Sequence, residues 1–299
     1  EAIDVQPGLI DQAMAYVTAQ KLSDPQKPFF IYLPLAAPHT PIVPTNEFKG
    51  SSGLNPYADF VRQVDADVGR LMAKLEQLGL RENTLIVFTA DNGCSPAAKI
   101  EELQAKGHEP SYLYRGHKAD IFEGGHRVPF IVRWPAKVKP GSVNPQLIGQ
   151  IDFLATFAEA LGVPVPAGAG EDSVSFLPAL LGREGPLRQS IVSHSINGSF
   201  AIRDGQWKLA LCAGSGGWSV PKPGSKEEKG LPEFQLYDLA TDLGEKTNLA
   251  AQHPERVVAM KAALQALVDR GRSTPGPALA NDVPVVLVKK TGNKKQQDK

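Results

Sequence analysis

Residues 85–93 have the sequence LIVFTADNG, and this stretch is the strongest indication of the fold. Residues 85–90 carry no charge, which is typical of a strand covered on both faces, and the run ends at Asp91-Asn92-Gly93. Two similar apolar runs, 29–35 and 128–132, alternate along the chain with stretches that have helical periodicity. This alternation predicts an α/β fold with a doubly wound, mostly parallel sheet between helices.

Helices are indicated around these runs. Apolar residues recur at steps of three and four through 60–78 and form one stripe, which ends at Gly79 as a helix C-terminus would. Another helix is expected from about Pro7 to Leu22, and a third over 150–161, where Gly162 ends it. These helices would cover the predicted sheet.

A different pattern begins near residue 182. Short strand candidates at 190–194, 199–203, 207–211 and 234–239 are separated by turn residues, and an amphipathic pattern over 257–267 follows them. We therefore predict an α/β domain over 1–182 and a small C-terminal α+β subdomain of antiparallel strands and one helix over 183–274. Residues 275–299, proline-rich and then polar, are expected to form a flexible tail.

Composition excludes several kinds of partner. The 32 basic residues balance the 32 acidic ones, so the chain has no net field that would recruit nucleic acid or an anionic membrane. No apolar run approaches the ~20 residues that span a bilayer, so we expect no membrane span. The two cysteines, Cys94 and Cys212, leave one bridge or two free thiols open. Nothing in the sequence indicates the oligomeric state.

Asp91 and Asn92 are the first candidate site residues, because they follow a predicted buried strand at the edge where open α/β sheets bind ligands. Carboxylate and amide oxygens suit a hard cation such as Ca²⁺ or Mg²⁺. Calcium takes about 6 to 8 oxygens, so these two residues are only part of a site. Taken alone, the tripeptide is also a common turn after a strand, and that reading stays open.

Two further clusters carry groups that suit an anionic ligand. His39, in Pro38-His39-Thr40-Pro41, follows the apolar run 29–35 and would donate a proton near neutral pH. Lys118 lies in the segment RGHKADIFEGGHRVP over 115–129, where glycines permit close backbone approach. On spacing alone, a solvated surface is the better explanation of the charges over 115–129, and a lone histidine in a loop is usually incidental.

Together, the segments APHTP (37–41), FTADNG (88–93) and GHKADIFEGGHRVP (116–129) resemble the formylglycine-dependent sulfatases of the alkaline phosphatase superfamily, of the arylsulfatase A type, in order and approximate spacing. The resemblance continues through 198–209, 235–239 and 245–250, and covers about residues 8–270. It implies a calcium-assisted sulfuric ester hydrolase with an alkaline phosphatase-like fold, which releases inorganic sulfate from a small-molecule or carbohydrate sulfate ester. By analogy with the family, the location is periplasmic or secreted.

The resemblance also implies residue roles. Asp91 and Asn92 match two ligands of the active-site Ca²⁺, with Mg²⁺ as the alternative ion. His39 and Lys118 match the residues that contact the sulfate and the leaving-group oxygen, and are the catalytic and substrate-binding candidates. His194 lies in a part of the chain that approaches the pocket in related sulfatases, but an ordinary surface histidine is an equally good interpretation.

This sequence departs from the family pattern at the nucleophile. The family oxidises a cysteine or serine, in a pattern with a following proline and arginine, to formylglycine, and no segment here has that pattern. Cys94-Ser95-Pro96 begins like it, but the required arginine does not follow. The family's first aspartate pair and its upstream lysine and histidine are also unmatched. We therefore expect an α/β domain that lacks its N-terminal part, and a chain that alone is inactive and marginally stable.

Two other functions stay open at this point. One is a phosphodiesterase or phosphonate hydrolase of the same superfamily, which shares the sheet and the metal chemistry. The other is a non-catalytic sulfatase-like module that binds sulfated glycans. Separately, Asn197-Gly198-Ser199 fits a glycosylation acceptor, although a hairpin turn is the preferred interpretation.

Overall fold

The computed structural model describes residues 1–166 and 168–289. Its helices are α1 (Ala2–Ser23), α2 (Pro56–Gln77), α3 (Ile100–Ala105), α4 (Glu123–His126), α5 (Phe153–Leu161), α6 (Leu177–Leu180) and α7 (Pro254–Arg270). Its strands are β1 (Ile86–Thr89), β2 (Phe130–Arg133), β3 (Ser190–His194), β4 (Phe200–Asp204), β5 (Trp207–Ala210) and β6 (Gln235–Asp238). The predicted helices over 7–22, 60–78 and 257–267 are confirmed, and the one over 150–161 is a short 3-10 turn that continues into α5.

The chain divides into two compact units that interleave along the sequence. The first comprises Glu1–Phe88, Ser95–Pro110 and Ile131–Ala136. The second comprises Thr89–Cys94, Ser111–Phe130 and the described residues from 137 onward. These bounds differ from the sequence-based boundary at residue 182, so the domain division stays a prediction.

The first unit is built on α1 and α2. Asn55 begins α2 by accepting a hydrogen bond from Ala58 N on its side chain, and Pro56 occupies the first helical position, where its missing N–H is not needed. Phe60 and Val64 are buried on one stripe of α2 and form a cluster with Ala37. Apolar burial on the predicted stripe is therefore what fixes this helix in place.

Strands β1 and β2 pair in a two-stranded sheet. The predicted strand at 29–35 is wrong for this structure, because that segment lies outside helix and strand. Its burial alternates, with Phe30 and Tyr32 exposed, whereas a run covered on both faces was expected. A strand needs a hydrogen-bonded neighbour, and no described strand pairs with this segment.

The second unit contains the predicted antiparallel sheet, in the order β3-β4-β5-β6. The register places Ile202 opposite Val192 in β3 and opposite Leu209 in β5. Gly198, with φ of 76°, lies in the turn between β3 and β4, where a left-handed conformation is needed. The Asn197 side-chain oxygen accepts hydrogen bonds from Ser199 N and Ser199 Oγ, so this segment forms a hairpin turn.

Each face of this sheet carries a separate core cluster. Ile202, Leu209 and Leu236 point to one face and pack with Met260 and Leu264 of α7. Their neighbours in sequence point to the opposite face, where Ala201, Ala210 and Tyr237 cluster with Ile121 and Phe122. Because successive residues of a strand point to opposite faces, α7 packs on one face of the sheet and the segment before α4 packs on the other.

Residues 275–289 contain no helix or strand, yet Leu287 is buried in the cluster that α7 forms with the sheet. This packing was not predicted from the sequence. The rest of the predicted tail, 290–299, lies outside the described residues. Neither Cys94 nor Cys212 forms a disulfide bond in the described structure. Burial raises the pKa of Cys212 to about 11, so that thiol is uncharged at neutral pH.

Candidate active site

The Asp91-Asn92-Gly93 turn follows β1, as the sequence predicted. Asn92 N donates a hydrogen bond to Asp91 Oδ1 at 3.0 Å, and the Asn92 amide nitrogen donates to Gly93 O at 3.0 Å. Asp91 Oδ2 and Asn92 Oδ1 accept no hydrogen bond from any residue within 1–166 and 168–289. Two hard oxygens on adjacent residues therefore stay available for a cation, which fits part of a calcium site.

These two oxygens do not make a complete metal site. In the part of the chain that the structure describes, no group of three or more His, Cys, Asp or Glu side chains is arranged to hold a metal ion. Calcium takes about 6 to 8 oxygen ligands, so a cation at Asp91 and Asn92 needs further donors. Metal binding at this turn remains a prediction.

Glycines pack the Asp91-Asn92-Gly93 turn tightly against the start of α4. Gly93 N donates to Gly125 O at 2.9 Å, and a Cβ built at Gly93 would lie 1.8 Å from Gly124 O. Gly124 has the same constraint, because its Cβ would lie 2.3 Å from Gly116 O. No side chain fits at either position without moving the backbone. The glycines of the segment over 115–129 therefore allow close backbone approach, as the sequence predicted.

Lys118 lies beside the same turn. Its backbone N donates to Cys94 O at 2.8 Å, so the second unit brings the Lys118 segment and the segment of Asp91 and Asn92 together. The Lys118 ammonium has no ion-pair or hydrogen-bond partner among the described residues. An unpaired cation on a segment that is bonded to the Asp91-Asn92 segment suits an oxyanion ligand.

The two arginines of the segment over 115–129 already contact other residues of the chain. Arg115 stacks over Phe122, at 3.9 Å from Cζ to the ring centroid, and donates to Glu245 O at 2.9 Å. Arg127 lies over Tyr114, at 4.6 Å from Cζ to the ring centroid. Lys118 therefore differs from these arginines. Its charged group has no partner among the described residues and is available to a ligand.

His39 belongs to the first unit, and its role stays a prediction. Its backbone N donates to Ala36 O at 3.1 Å. Its Nδ1 lies 2.9 Å from Thr40 O, and the imidazole is exposed. A hydrogen bond from Nδ1 to the carbonyl fixes the tautomer and leaves Nε2 available, which is consistent with a residue that exchanges protons with a ligand.

Sequence reasoning missed the buried carboxylate of Asp120, two residues after Lys118. One oxygen, Oδ1, accepts from Trp218 N at 2.8 Å and from Ser219 N at 3.0 Å. The other, Oδ2, accepts from His117 N at 3.0 Å, and only 2% of the residue is exposed. Asp120 therefore fixes the Lys118 loop to the glycine-rich segment over 214–219. Its position inside a charged motif gave no signal of this role.

A second missed feature is a buried cluster of charges under α4. Lys208 Nζ lies 3.0 Å from Glu123 Oε1 and 2.9 Å from Glu245 Oε1, and each residue is at most 2% exposed. Glu245 Oε2 also accepts from Glu123 N at 2.7 Å. A signal was available, because in β5 Lys208 alternates with Trp207 and Leu209 and so faces the same side as Ala210.

The charges in this cluster shift one another's pKa values. Burial raises the pKa of Glu123, but its cationic neighbours, Lys208 first, outweigh burial and lower the pKa to about 2. Burial raises the pKa of Glu245 despite the same lysine. Burial of the ring and the nearby Lys208 charge lower the pKa of His126 to about 4. Glu123 is therefore ionised at pH 7, and His126 is neutral.

The family model named Sulfatase matches residues 3–163, which is more than half of the chain. The chain belongs to the sulfatase family. A second model, the C-terminal region of N-sulphoglucosamine sulphohydrolase, matches residues 117–212. Asp91, Asn92 and Lys118 lie inside the first match, and the second match begins at His117 and extends past β5.

Curated and solved relatives agree with this assignment. N-acetylgalactosamine-6-O-sulfatase of Bacteroides thetaiotaomicron is 36% identical over 273 residues, which cover 89% of this chain and 52% of the relative. A solved structure from glycosaminoglycan metabolism in Bacteroides thetaiotaomicron is 36% identical with a TM-score of 0.78, over 89% of this chain and 55% of the other. The complex of Ps i-CgsB with k-i-k-neocarrahexaose is 26% identical with a TM-score of 0.70, over 87% and 54%.

These likenesses confirm the fold class and the family. They show an alkaline phosphatase-like sulfatase fold with a small C-terminal domain. The chain spans about half the length of the relatives that it matches. Among the helices that the structure describes, none is long and apolar enough to cross a membrane.

Proposed function

We propose that the protein is a sulfuric ester hydrolase that releases inorganic sulfate from a sulfated carbohydrate. The observation that carries this proposal is the assembly of the Asp91-Asn92-Gly93 turn and the Lys118 loop, joined by the hydrogen bond from Lys118 N to Cys94 O. That hydrogen bond joins the segment that carries two hard oxygens to the segment that carries an unpaired ammonium, and a cation held by those oxygens together with the ammonium would bind a sulfate group. The names of the relatives support carbohydrate as the leaving group, because they concern an N-acetylgalactosamine-6-sulfate enzyme and a bound neocarrahexaose.

Each side chain has a role in this proposal. Asp91 and Asn92 would hold Ca²⁺, with Mg²⁺ as the alternative, and the bound cation would polarise a sulfate oxygen. The Lys118 ammonium binds the sulfate and stabilises negative charge on the leaving oxygen as the ester bond breaks. His39 delivers a proton to that oxygen, so that a neutral alcohol departs. The attack on sulfur is assigned to a formylglycine, which the resemblance implies and which no residue of this chain matches.

Location outside the cytoplasm is part of the proposal. Periplasmic or secreted placement follows from the analogy with the family and from a carbohydrate substrate of the kind that the relatives' names describe. Cell fractionation with an antibody against the chain tests it, and recovery in the cytoplasmic fraction would contradict it.

Turnover should be measured with the product of the whole reading frame that encodes this chain. We expect release of sulfate from 4-nitrophenyl sulfate and from N-acetylgalactosamine 6-sulfate, and little release of phosphate from 4-nitrophenyl phosphate or its diesters. Preference for the phosphate esters would support the phosphodiesterase alternative. Binding of the sulfated sugar by that product without release of sulfate would support a non-catalytic binding module.

Two separate lysine substitutions test the site. Lys118→Ala should reduce kcat/KM about a hundredfold or more, since one oxyanion-stabilising group contributes roughly 2.7 to 4 kcal/mol. Lys139→Ala is the matched control, because Lys139 is exposed and lies outside the motif, and its turnover should stay within twofold of the unaltered protein. Equal effects of the two substitutions would remove Lys118 from the site.

A further inference from the structure

Trp218 is an exposed residue that directly follows a buried run of four residues, 214–217. The glycines and Ser215 over 214–217 are buried, whereas Trp218 is 42% exposed. Among the described residues, none stacks on the indole or accepts a hydrogen bond from its Nε1. Trp207 of β5 is different, because Arg256 lies over its ring at 4.3 Å and His253 packs on it at 5.4 Å. The Trp218 side chain therefore presents an unused apolar face and an unused N–H donor.

The backbone of Trp218 is held rigidly. Asp120 Oδ1 accepts from Trp218 N at 2.8 Å and from Ser219 N at 3.0 Å. Ser215 Oγ donates to Ser219 O at 2.6 Å and accepts from Gly217 N at 3.1 Å, which closes the loop on itself. Ser215 O also accepts from Ile121 N at 2.8 Å. A ring on such a loop is preorganised, so little conformational entropy is lost when a ligand packs on it.

This loop lies beside the Lys118 segment. Gly217, directly before Trp218, approaches Ala119, directly after Lys118, so closely that a Cβ at Gly217 would lie 2.4 Å from Ala119 O. Asp120, whose carboxylate binds Trp218 N, is two residues from Lys118. The backbone of Trp218 is therefore anchored beside the segment of Lys118, the residue that the proposed function assigns to the sulfate.

We propose that Trp218 is a specificity-determining residue that stacks on the pyranose ring bearing the sulfate ester. This inference rests on the proposed sulfatase function. A pyranose has a face of C–H groups, which packs on the negative face of an indole, and hydroxyl oxygens at its rim, which accept from the indole N–H. An aryl or steryl leaving group would use the apolar face but offers no rim hydroxyls to that donor.

The test is calorimetric titration of the 299-residue chain in calcium with inorganic sulfate, 4-nitrophenyl sulfate and N-acetylgalactosamine 6-sulfate. The chain should bind the sugar sulfate more tightly than the other two ligands. Trp218→Ala should weaken binding of the sugar sulfate about tenfold, which corresponds to about 1.4 kcal/mol, because the stacked ring is lost. Binding of inorganic sulfate should not change, because sulfate does not reach the ring.

Two variants of the same loop guard against misfolding as the cause. Trp218→Phe keeps an aromatic face and should lose only part of the affinity for the sugar sulfate. Val220→Ala removes apolar surface from the exposed residue two positions further on and should bind like the unaltered chain. An equal loss in Val220→Ala and Trp218→Ala would assign the effect to loop integrity and overturn the proposal.

The remaining outcomes separate this inference from the proposed function. Binding of sulfate and sugar sulfate that Trp218→Ala leaves unchanged would overturn the role of Trp218 while the sulfatase site stands. A loss of affinity for 4-nitrophenyl sulfate equal to that for the sugar would show an aryl platform rather than a pyranose platform. Binding of none of the three ligands by the unaltered chain would contradict the proposed site, and the inference would fall with it.

Discussion

The ammonium of Lys208, on β5, lies 3.0 Å from Glu123 Oε1 at the start of α4, and neither residue is more than 2% exposed. This ion pair links the antiparallel sheet to the turn that packs against Asp91-Asn92-Gly93. Burying two charges costs several kcal/mol per ion unless their geometry compensates. A second buried carboxylate, that of Glu245, also lies 2.9 Å from Lys208 Nζ and helps to offset the cost of burying the ammonium. The Asp91 turn thus depends on charges that are distant from it in sequence.

Lys208→Met should lower the free energy of unfolding by about 3 to 5 kcal/mol, because it leaves Glu123 and Glu245 buried without their shared cation. Denaturant unfolding followed by circular dichroism measures the change. Lys222→Met, at an exposed lysine, is the control and should change the free energy by less than about 0.5 kcal/mol. A similar small change for Lys208→Met would mean that the buried pair contributes little.

Acid should destabilise the protein below about pH 6.5 because of His126. Its pKa falls from the usual 6.5 to about 4 in the folded chain, so between these values the unfolded chain binds a proton that the folded chain does not. Stability is therefore lost as the pH falls from 6.5 to 4, by up to about 3 kcal/mol. His126→Asn should remove this part of the pH dependence, as measured by unfolding at pH 7 and pH 5. His253→Asn, at a more exposed histidine, should retain the pH dependence of the unaltered protein.

Gly93→Ala should be strongly destabilising although it adds one methyl group. The new Cβ would lie 1.8 Å from Gly124 O, so the turn or α4 must move, at a cost of about 2 kcal/mol or more. Gly69→Ala is the matched control in α2, since a Cβ there meets no atom within 4 Å. That control should stabilise the helix by about 0.5 to 1 kcal/mol. A tolerated Gly93→Ala would contradict the close approach.

Calcium should raise the thermal midpoint of the unaltered protein through Asp91. A ligand present at ten times its dissociation constant stabilises the folded state by about 1.4 kcal/mol. Asp91→Ala removes the carboxylate and should abolish the calcium-dependent shift, as measured by differential scanning calorimetry with and without a chelator. Asp65→Ala, at an exposed aspartate of α2, should keep the shift. A calcium response that persists in Asp91→Ala would place the cation elsewhere.

The sequence predicted local elements better than the contacts between them. The stripe over 60–78 and the strands of the antiparallel sheet were found because their periodicity is set by residues close in sequence. The run 29–35 was misassigned, since strand formation depends on a partner that the run itself does not encode. Asp91, Asn92 and Lys118 were identified as candidate site residues from the sequence motifs in which they lie. Asp120 and Trp218 were missed, because a hydrogen bond across 98 residues leaves no local pattern.

Phe122 and Glu123 lie on one face of the antiparallel sheet, and α7 lies on the other. A fragment shortened to residues 1–182 would therefore keep the Asp91 and Lys118 motifs in sequence but strip Phe122 of its apolar cover and Glu123 of its counterion. Substitutions in β5 and β6 should accordingly lower activity in the same way as substitutions in the candidate motifs of Asp91 and Lys118. For protein engineering, residues 111–130 and the C-terminal sheet are a single module that has to be exchanged together.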